Sequence, residues 1–285
     1  MSPTPDKTGP GIEVMLGPLL ATLGRRSLVV GILNVTPDSF SDGGRYDALG
    51  PALAHGAAMV EAGASIVDIG GESTRPGFTP VSADLEWQRI GRILAALAAQ
   101  LPVPLSVDTT KSEIARRAIR AGATMVNDIW GLQGDPAMAP VIAEAGVAVV
   151  AMHNRAEIDA SIDIVADMRR FFDRTLAIAA KAGIRQDRII LDPGIGFGKT
   201  SAQQIAAIAG VAVLRGYGLP VLIGVSRKSF LGRLTGAPAG ERLIGTVAAN
   251  LAAAQAGATL FRVHDVAEHV AALRVFDAIR EITSP

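Results

Sequence analysis

Cysteine is absent from the 285 residues. That excludes disulfides, thiolate metal sites and a cysteine nucleophile. Net charge is missing too, because 27 Lys and Arg balance 27 Asp and Glu. Without a basic or acidic excess, nothing points to nucleic acid or an acidic surface, and only a local basic pocket remains open. Long apolar runs are also lacking. Val147-Ala148-Val149-Val150-Ala151-Met152 is far too short to cross a bilayer. The stretch Met1 to Gly11 is rich in Pro and Gly, with no basic segment leading into an apolar one, so no secretory signal is visible. These absences lead us to expect a cytoplasmic protein with neither nucleic-acid nor membrane partners.

What is present is a core. Apolar residues make up 49% of the chain and charged ones 19%, the balance of a soluble globular protein. Eight short, β-branched apolar runs recur: Leu28–Leu33, Ser65–Ile69, Pro104–Val107, Thr124–Val126, Val147–Met152, Arg188–Leu191, Val221–Val225 and Thr259–Val263. Each has the length of a buried strand and little polar alternation, as parallel strands covered on both faces should. Ala-rich helical segments follow the runs, for example Ala48–Glu61, Asp84–Ala99, Ser112–Ala121 and Asp265–Arg280. Asp159–Lys181 is long for one helix. Gly63, Gly122, Gly146, Gly183 and Gly257 each close a helix before the next strand, where glycine supplies a left-handed C′ residue. Eight βα units predict a single-domain (β/α)8 TIM barrel over residues 27–285, preceded by a lead-in over 1–26. A doubly wound open sheet is the alternative. The count of eight and the lack of a second domain favour the barrel.

Chemistry in such a barrel gathers at the C-terminal ends of the strands. Those ends carry Asn34, Gly70-Gly71-Glu72-Ser73-Thr74-Arg75, Asp108, Asn127-Asp128, Met152-His153, Asp192, Ser226-Arg227-Lys228, and Arg262 with His264. Asp108, Asn127 and Asp192 offer acceptors to a ring rich in N–H groups. Arg75, Lys228, Arg262 and His264 offer donors to a phosphate or carboxylate. The pocket is therefore bipolar. Loops 36–44 and 73–78 each combine turn formers with one aromatic, as closing loops do. One stretch invites a different reading. Gly198-Lys199-Thr200 ends like a phosphate-binding P-loop, but the position that needs the first glycine is Pro193, which has no N–H to give.

Several of these motifs resemble those of one family. Gly31-Ile32-Leu33-Asn34-Val35-Thr36-Pro37-Asp38-Ser39-Phe40-Ser41-Asp42-Gly43-Gly44 and Asp68-Ile69-Gly70-Gly71-Glu72-Ser73-Thr74-Arg75-Pro76-Gly77 are similar to the two signatures of the dihydropteroate synthases. Asp192–Thr200, Ser226–Gly232 and Arg262–Val266 resemble later ones, and the likeness spans about residues 28–281. The resemblance implies condensation of 6-hydroxymethyl-7,8-dihydropterin diphosphate with p-aminobenzoate, releasing pyrophosphate with the help of Mg²⁺. By resemblance, Asp108, Asn127, Asp192, Lys228, Met152, Phe197, Ile129 and Gly224 hold the pterin. Phe40, Thr74, Arg75, Pro76 and Ser229 shape the p-aminobenzoate side. Asn34, Thr74, Arg262 and His264 take the diphosphate, with Asn34 on the Mg²⁺. Lys228, Arg262, His264, Arg75 and Asp42 form the catalytic set. The family also implies a homodimer and a sulfonamide target.

The chain departs from the family pattern at Asn154-Arg155-Ala156-Glu157-Ile158-Asp159, after the fifth strand, and at Trp130, where a small residue is expected. Simpler readings stand beside the functional ones. Asp108 or Asp128 caps the following helix, Arg75 is a solvated loop charge, and His264 is a local partner of Asp265. His55 and His269 read as surface residues on helices, Trp87 as packing, and His153 as support beneath the pocket. Two other functions fit a pterin barrel: a cobalamin-linked pterin methyltransferase and a non-catalytic pterin-binding paralogue. The first needs no diphosphate site, and the second is expected to have lost a loop or a diphosphate residue.

Overall fold

Parallel pairing runs through eight short strands: β1 (Leu28–Asn34), β2 (Ile66–Gly70), β3 (Leu105–Asp108), β4 (Met125–Asp128), β5 (Ala148–Met152), β6 (Ile189–Asp192), β7 (Leu222–Ile223) and β8 (Leu260–Val263). The computed structural model describes residues 26–35, 49–72 and 80–283. Strands adjacent in sequence pair with each other, except β6 with β7, and β1 pairs with β8. Between β6 and β7 the ring closes through a parallel bridge, Leu191 with Val221, and a hydrogen bond from Leu191 N to Pro220 O at 2.9 Å. An open doubly wound sheet has no such closure, so the barrel expectation holds and the alternative falls.

Around the barrel lie α1 (Leu49–Glu61), α2 (Ala83–Gln100), α3 (Ser112–Arg120), α4 (Met138–Ala145), α5 (Ile164–Ala182), α6 (Ser201–Ala209), α7 (Val211–Leu214), α8 (Ser229–Thr235), α9 (Leu243–Ala256) and α10 (Val266–Thr283). The five turn glycines all have positive φ, from 65° at Gly146 to 111° at Gly122, as a left-handed helix stop requires. The long segment near 159–181 becomes one helix that starts late. Asp163 caps α5 by accepting from Val165 N and Ala166 N, and Asp159 is tied up in a turn with Ser161.

The strands serve two cores. Val29, Leu33, Val67 and Ile69 face the helices in a large outer core. Leu28, Val30, Ile66, Met125, Ala148, Val150, Ile190, Leu222 and Leu260 form a separate small cluster that fills the barrel interior. Alternation in β1 between Leu28 and Val30 on one side and Val29 on the other is the period of two that a strand imposes. Each buried Leu, Ile or Phe contributes roughly 1.5–3 kcal/mol, so the two cores together outweigh the polar groups buried at the rim. None of the described helices is long and apolar enough to cross a membrane.

Candidate active site

The inward alternation that starts with Leu28 and Ile66 does not end in apolar residues. Two residues beyond Ile66 comes Asp68, and two residues beyond Leu260 comes Arg262. Strand register then lays Asn34 beside Gly70, Gly70 beside Asp108, and Asp108 beside Asn127. A row of polar groups thus circles the rim across four strands. Gly70 keeps the row close: a Cβ there would lie 3.8 Å from Asn34 Oδ1 and 3.5 Å from Asp108 Cβ. Asp192 ends β6 in register with Met152 at the end of β5.

Arg262 is the hub of one half. Its Nε donates to Asp68 Oδ2 at 2.6 Å and its Nη2 to Asp108 Oδ2 at 2.8 Å. Those bonds use two of the five guanidinium donors. Asn127 Nδ2 donates to the same Asp68 oxygen at 3.3 Å. Asp68, Asp108 and Asn127 are all buried. Burial pushes the Asp108 carboxyl up to about 7, against the pull of Arg262. The two carboxylates hold the Arg262 proton well above the ordinary guanidinium range. Three oxygens of this group, Asp68 Oδ1, Asp108 Oδ1 and Asn127 Oδ1, are buried without a hydrogen-bond partner among the described residues.

The other half is built by the stretch after β6. Asp192 Oδ1 accepts from Gly194 N at 2.7 Å. Burial raises the Asp192 pKa, while the Gly194 N–H, Lys228 and Lys199 pull it down. Gly194 sits at φ 66°, and a Cβ there would be 1.9 Å from His153 O, so only glycine fits. Lys228 reaches Ile195 O, and its Nζ lies 4.5 Å from the centre of the Phe197 ring, a cation–π distance. Burial lowers its pKa to about 8, with Asp192 opposing. At Gly224 a Cβ would have only Asp192 Oδ2 within 4 Å, at 3.9 Å, so the glycine leaves the space over that carboxylate open.

The Gly-Lys-Thr ending now has a structural account. Lys199 turns inward and donates to Gly194 O at 2.8 Å, Phe197 O at 3.0 Å and His153 O at 3.3 Å. It ties down its own loop. Thr200 caps α6 through a capping box with Gln203. Both side chains are engaged in holding their own loop and helix end.

The remaining expectations fall as follows. Met152 is buried, and Ile129 is half-buried on the turn after β4. Ser229 opens α8, exposed, and accepts from Arg233 at 3.3 Å. His264 Nδ1 pairs with Ser226 Oγ at 2.9 Å rather than with Asp265, which Arg227 takes. Asp128 accepts from Trp130 N and Leu132 N, so it shapes the turn after β4 instead of capping a helix. Trp130 packs against its own loop at Gly134. His55 is exposed as expected, but His269 is fully buried, with Nδ1 on Asp265 O at 2.6 Å. His153 is also fully buried. Its Nε2 meets Asp167 at 3.1 Å and its ring meets Phe171 edge-on, so it supports the site from behind. The unfamiliar Asn154-Arg155 turn belongs to that support: Arg155 pairs with Asp167 at 2.7 Å, and its carbonyl lies against Gly198. Phe40, Asp42, Thr74, Arg75 and Pro76 lie outside the described residues, as does the lead-in up to residue 25. Reading strand ends missed Asp68, and it gave Lys199 no structural role. The signal for Asp68 was a lone carboxylate inside a buried strand, in phase with Gly70.

The comparisons agree with this geometry. The model of the pterin binding enzyme family matches residues 30–264. The dihydropteroate synthase of Bacillus subtilis is 46% identical over 254 residues, 89% of each chain. The structure of the Clostridium difficile dihydropteroate synthase determined with pteroic acid superposes with a TM-score of 0.88 at 42% identity, covering 90% of this chain and 98% of the other. That of Xanthomonas albilineans dihydropteroate synthase with 4-aminobenzoic acid gives 0.87 at 46% identity, covering 91% and 94%. With a family model over most of its length and relatives this similar end to end, the chain belongs to the pterin binding enzymes, among the dihydropteroate synthases.

Proposed function

We propose that this chain joins 6-hydroxymethyl-7,8-dihydropterin diphosphate to p-aminobenzoate, giving 7,8-dihydropteroate and pyrophosphate. The observation that carries the reading is the gathering of Asp108 Oδ1 and Asn127 Oδ1, both buried and without a partner among the described residues, in register at one rim. An unpaired buried acceptor costs about 1–3 kcal/mol, so such a pair suits a ligand that brings N–H groups. Asp192 adds a further carboxylate, and the 2-amino-pyrimidinone edge of a pterin offers matching donors. Phe197 and Met152 supply apolar surface beside it, and Gly224 and Ile129 complete the pterin side.

Binding and bond breaking divide between residues. The C–O bond at the exocyclic CH₂ breaks and its electron pair leaves with the diphosphate. The electron-rich ring spreads the resulting positive charge, and the amine of p-aminobenzoate then attacks and loses a proton to solvent. The remaining donors of Arg262, with His264, hold the departing diphosphate, and Lys228 stands between Asp192 and the ring. Arg75, Thr74, Pro76, Phe40, Asp42 and Ser229 would enclose the p-aminobenzoate. Mg²⁺ would find one protein donor at this rim. Asn34 offers one amide oxygen beside Gly70, and no group of three His, Cys, Asp or Glu stands ready to cage a metal among the described residues. A cation that keeps its waters and takes most of its ligands from phosphate fits that donor set. Bound there, it would offset charge on the leaving diphosphate. We take the working form to be a cytoplasmic homodimer, with residues 27–285 as its barrel.

A mixture of protein, dihydropterin diphosphate, p-aminobenzoate and Mg²⁺ is expected to release pyrophosphate and form dihydropteroate in equal amounts. No release above background overturns the reading. A methyl-transferring relative would bind the ring and leave the diphosphate intact.

A further inference from the structure

Asp68 lies within β2, two residues before the strand ends, and is 1% exposed. Its Oδ2 receives both Arg262 Nε at 2.6 Å and Asn127 Nδ2 at 3.3 Å. A carboxylate oxygen paired with a guanidinium is purely an acceptor. The Asn127 amide must therefore turn its NH₂ towards Asp68. Its oxygen is left on the other edge, buried and without a partner among the described residues. Flipping the amide would set two oxygens face to face and lose the hydrogen bond, a bias on the order of tenfold to a hundredfold against the flipped form. Arg262 enforces the same polarity next door. By taking Asp108 Oδ2 at 2.8 Å it leaves Asp108 Oδ1 as the unpartnered atom. Asp108 and Asn127 are register partners, so the Asn127 oxygen stands beside an Asp108 oxygen that also accepts when the carboxyl is ionised. Such an edge accepts a ring that presents N–H groups and refuses one that presents a carbonyl there.

We propose that Asp68 is a specificity-determining residue: its carboxylate locks the Asn127 amide with the oxygen facing the ligand, and so selects a 2-amino pteridine over its 2-oxo counterpart. This rests on the pterin reading of the site. Asp68 itself touches no substrate; it acts through Asn127.

The test is calorimetric binding of 6-hydroxymethylpterin and of 6-hydroxymethyllumazine, its 2-oxo counterpart, to the full-length protein. The unsubstituted protein is expected to favour the 2-amino ring by at least about a hundredfold, as sites with committed polar groups do. Asp68→Ala frees the amide to rotate and is expected to narrow that preference about tenfold or more. Asp68→Asn is expected to keep most of it, because the new amide places its oxygen against Arg262 and still accepts from Asn127. If Asp68→Ala does not fold, Asp68→Ser serves instead. Its hydroxyl both donates and accepts, so it too is expected to narrow the preference. Equal weakening of both ligands, with the ratio unchanged, overturns the proposal and leaves Asp68 a packing residue. Failure of the unsubstituted protein to bind either ring overturns the pterin reading instead.

Discussion

Asp192 has one oxygen committed and one facing open space. Oδ1 accepts from Gly194 N at 2.7 Å, and Oδ2 points to the side where Gly224 lacks a Cβ. Burial works against its charge, and Lys228 and Lys199 work for it, so a ligand that donates two N–H groups meets a carboxylate already held in place. Asp192→Asn keeps the shape and the bond to Gly194 but exchanges an acceptor for a donor. We expect 6-hydroxymethylpterin to bind about 10- to 100-fold more weakly, the loss of a hydrogen bond to a charged group. Calorimetry that finds unchanged affinity would refute the role. At this scale much of the candidate site was readable in advance. Asp108, Asn127, Asp192 and Arg262 stand at strand ends, where a barrel puts its chemistry. Asp68 was not readable that way, because it sits two residues deep and its importance comes from what it makes Asn127 do. For Lys199, Pro193 argued against a P-loop but gave the lysine no role of its own. Its three backbone carbonyl partners, two in its own loop and one on His153, depend on how that loop folds back on β5.

Elements around the second strand are pinned by one half-buried lysine bridge. Lys111, just before α3, donates to Glu72 at 2.8 Å and to Glu86 of α2 at 2.7 Å. Glu72 in turn accepts from Val81 N at 2.6 Å, which joins the two ends of the segment between β2 and α2. Arg89 of α2 donates to Gly71 O at 2.7 Å. Glu86 is fully buried, so removing its cation leaves a carboxylate with nowhere to be solvated. Lys111→Met is expected to cost about 3–5 kcal/mol in urea unfolding, and Lys111→Met with Glu86→Leu to recover most of it. A loss below about 1 kcal/mol for the single variant would show that water reaches Glu86. None of this network was legible, since its members are far apart in sequence and each reads alone as an ordinary helix or loop charge. The strands and the five glycine stops were legible because they follow local rules, strand burial and left-handed backbone. The start of α5 was misplaced for a local reason as well: Asp159 and Asp163 both look like caps, and only Asp163 accepts from the first turn of the helix.

Across the whole barrel, the lower interior is apolar and the upper interior is charged, and His153 links that charged end to the outer helices. Its N donates to Asp192 O at 2.8 Å, its carbonyl accepts from Lys199, and its ring is clamped by Asp167 and Phe171 of α5. Burial, helped by the charge of Lys199, pulls its pKa from 6.5 down to about 3. In the unfolded chain the same ring titrates at its ordinary value, so between about 3 and 6.5 the unfolded state binds more protons. Stability from this residue is therefore complete above about 6.5 and is lost as the pH falls towards 3. Asp108 works in the opposite sense. Its folded pKa near 7 lies above the unfolded 3.8, so the folded state gains relative stability as the pH falls from 7 towards 3.8. Total stability of the unsubstituted protein therefore hides both contributions, and a difference is needed to see either. His153→Phe keeps an aromatic ring against Phe171 but cannot titrate. It is expected to be less stable at pH 7.5, because Asp167 loses a partner. That deficit should shrink by about 1–2 kcal/mol by pH 5, where the unsubstituted protein is held back by a ring that resists its proton. Urea unfolding of the two proteins at both pH values measures the gap, in which the Asp108 contribution cancels. A gap that stays constant would mean that His153 can be protonated in place, with Asp167 accepting the new charge, and that burial does not govern this corner of the barrel.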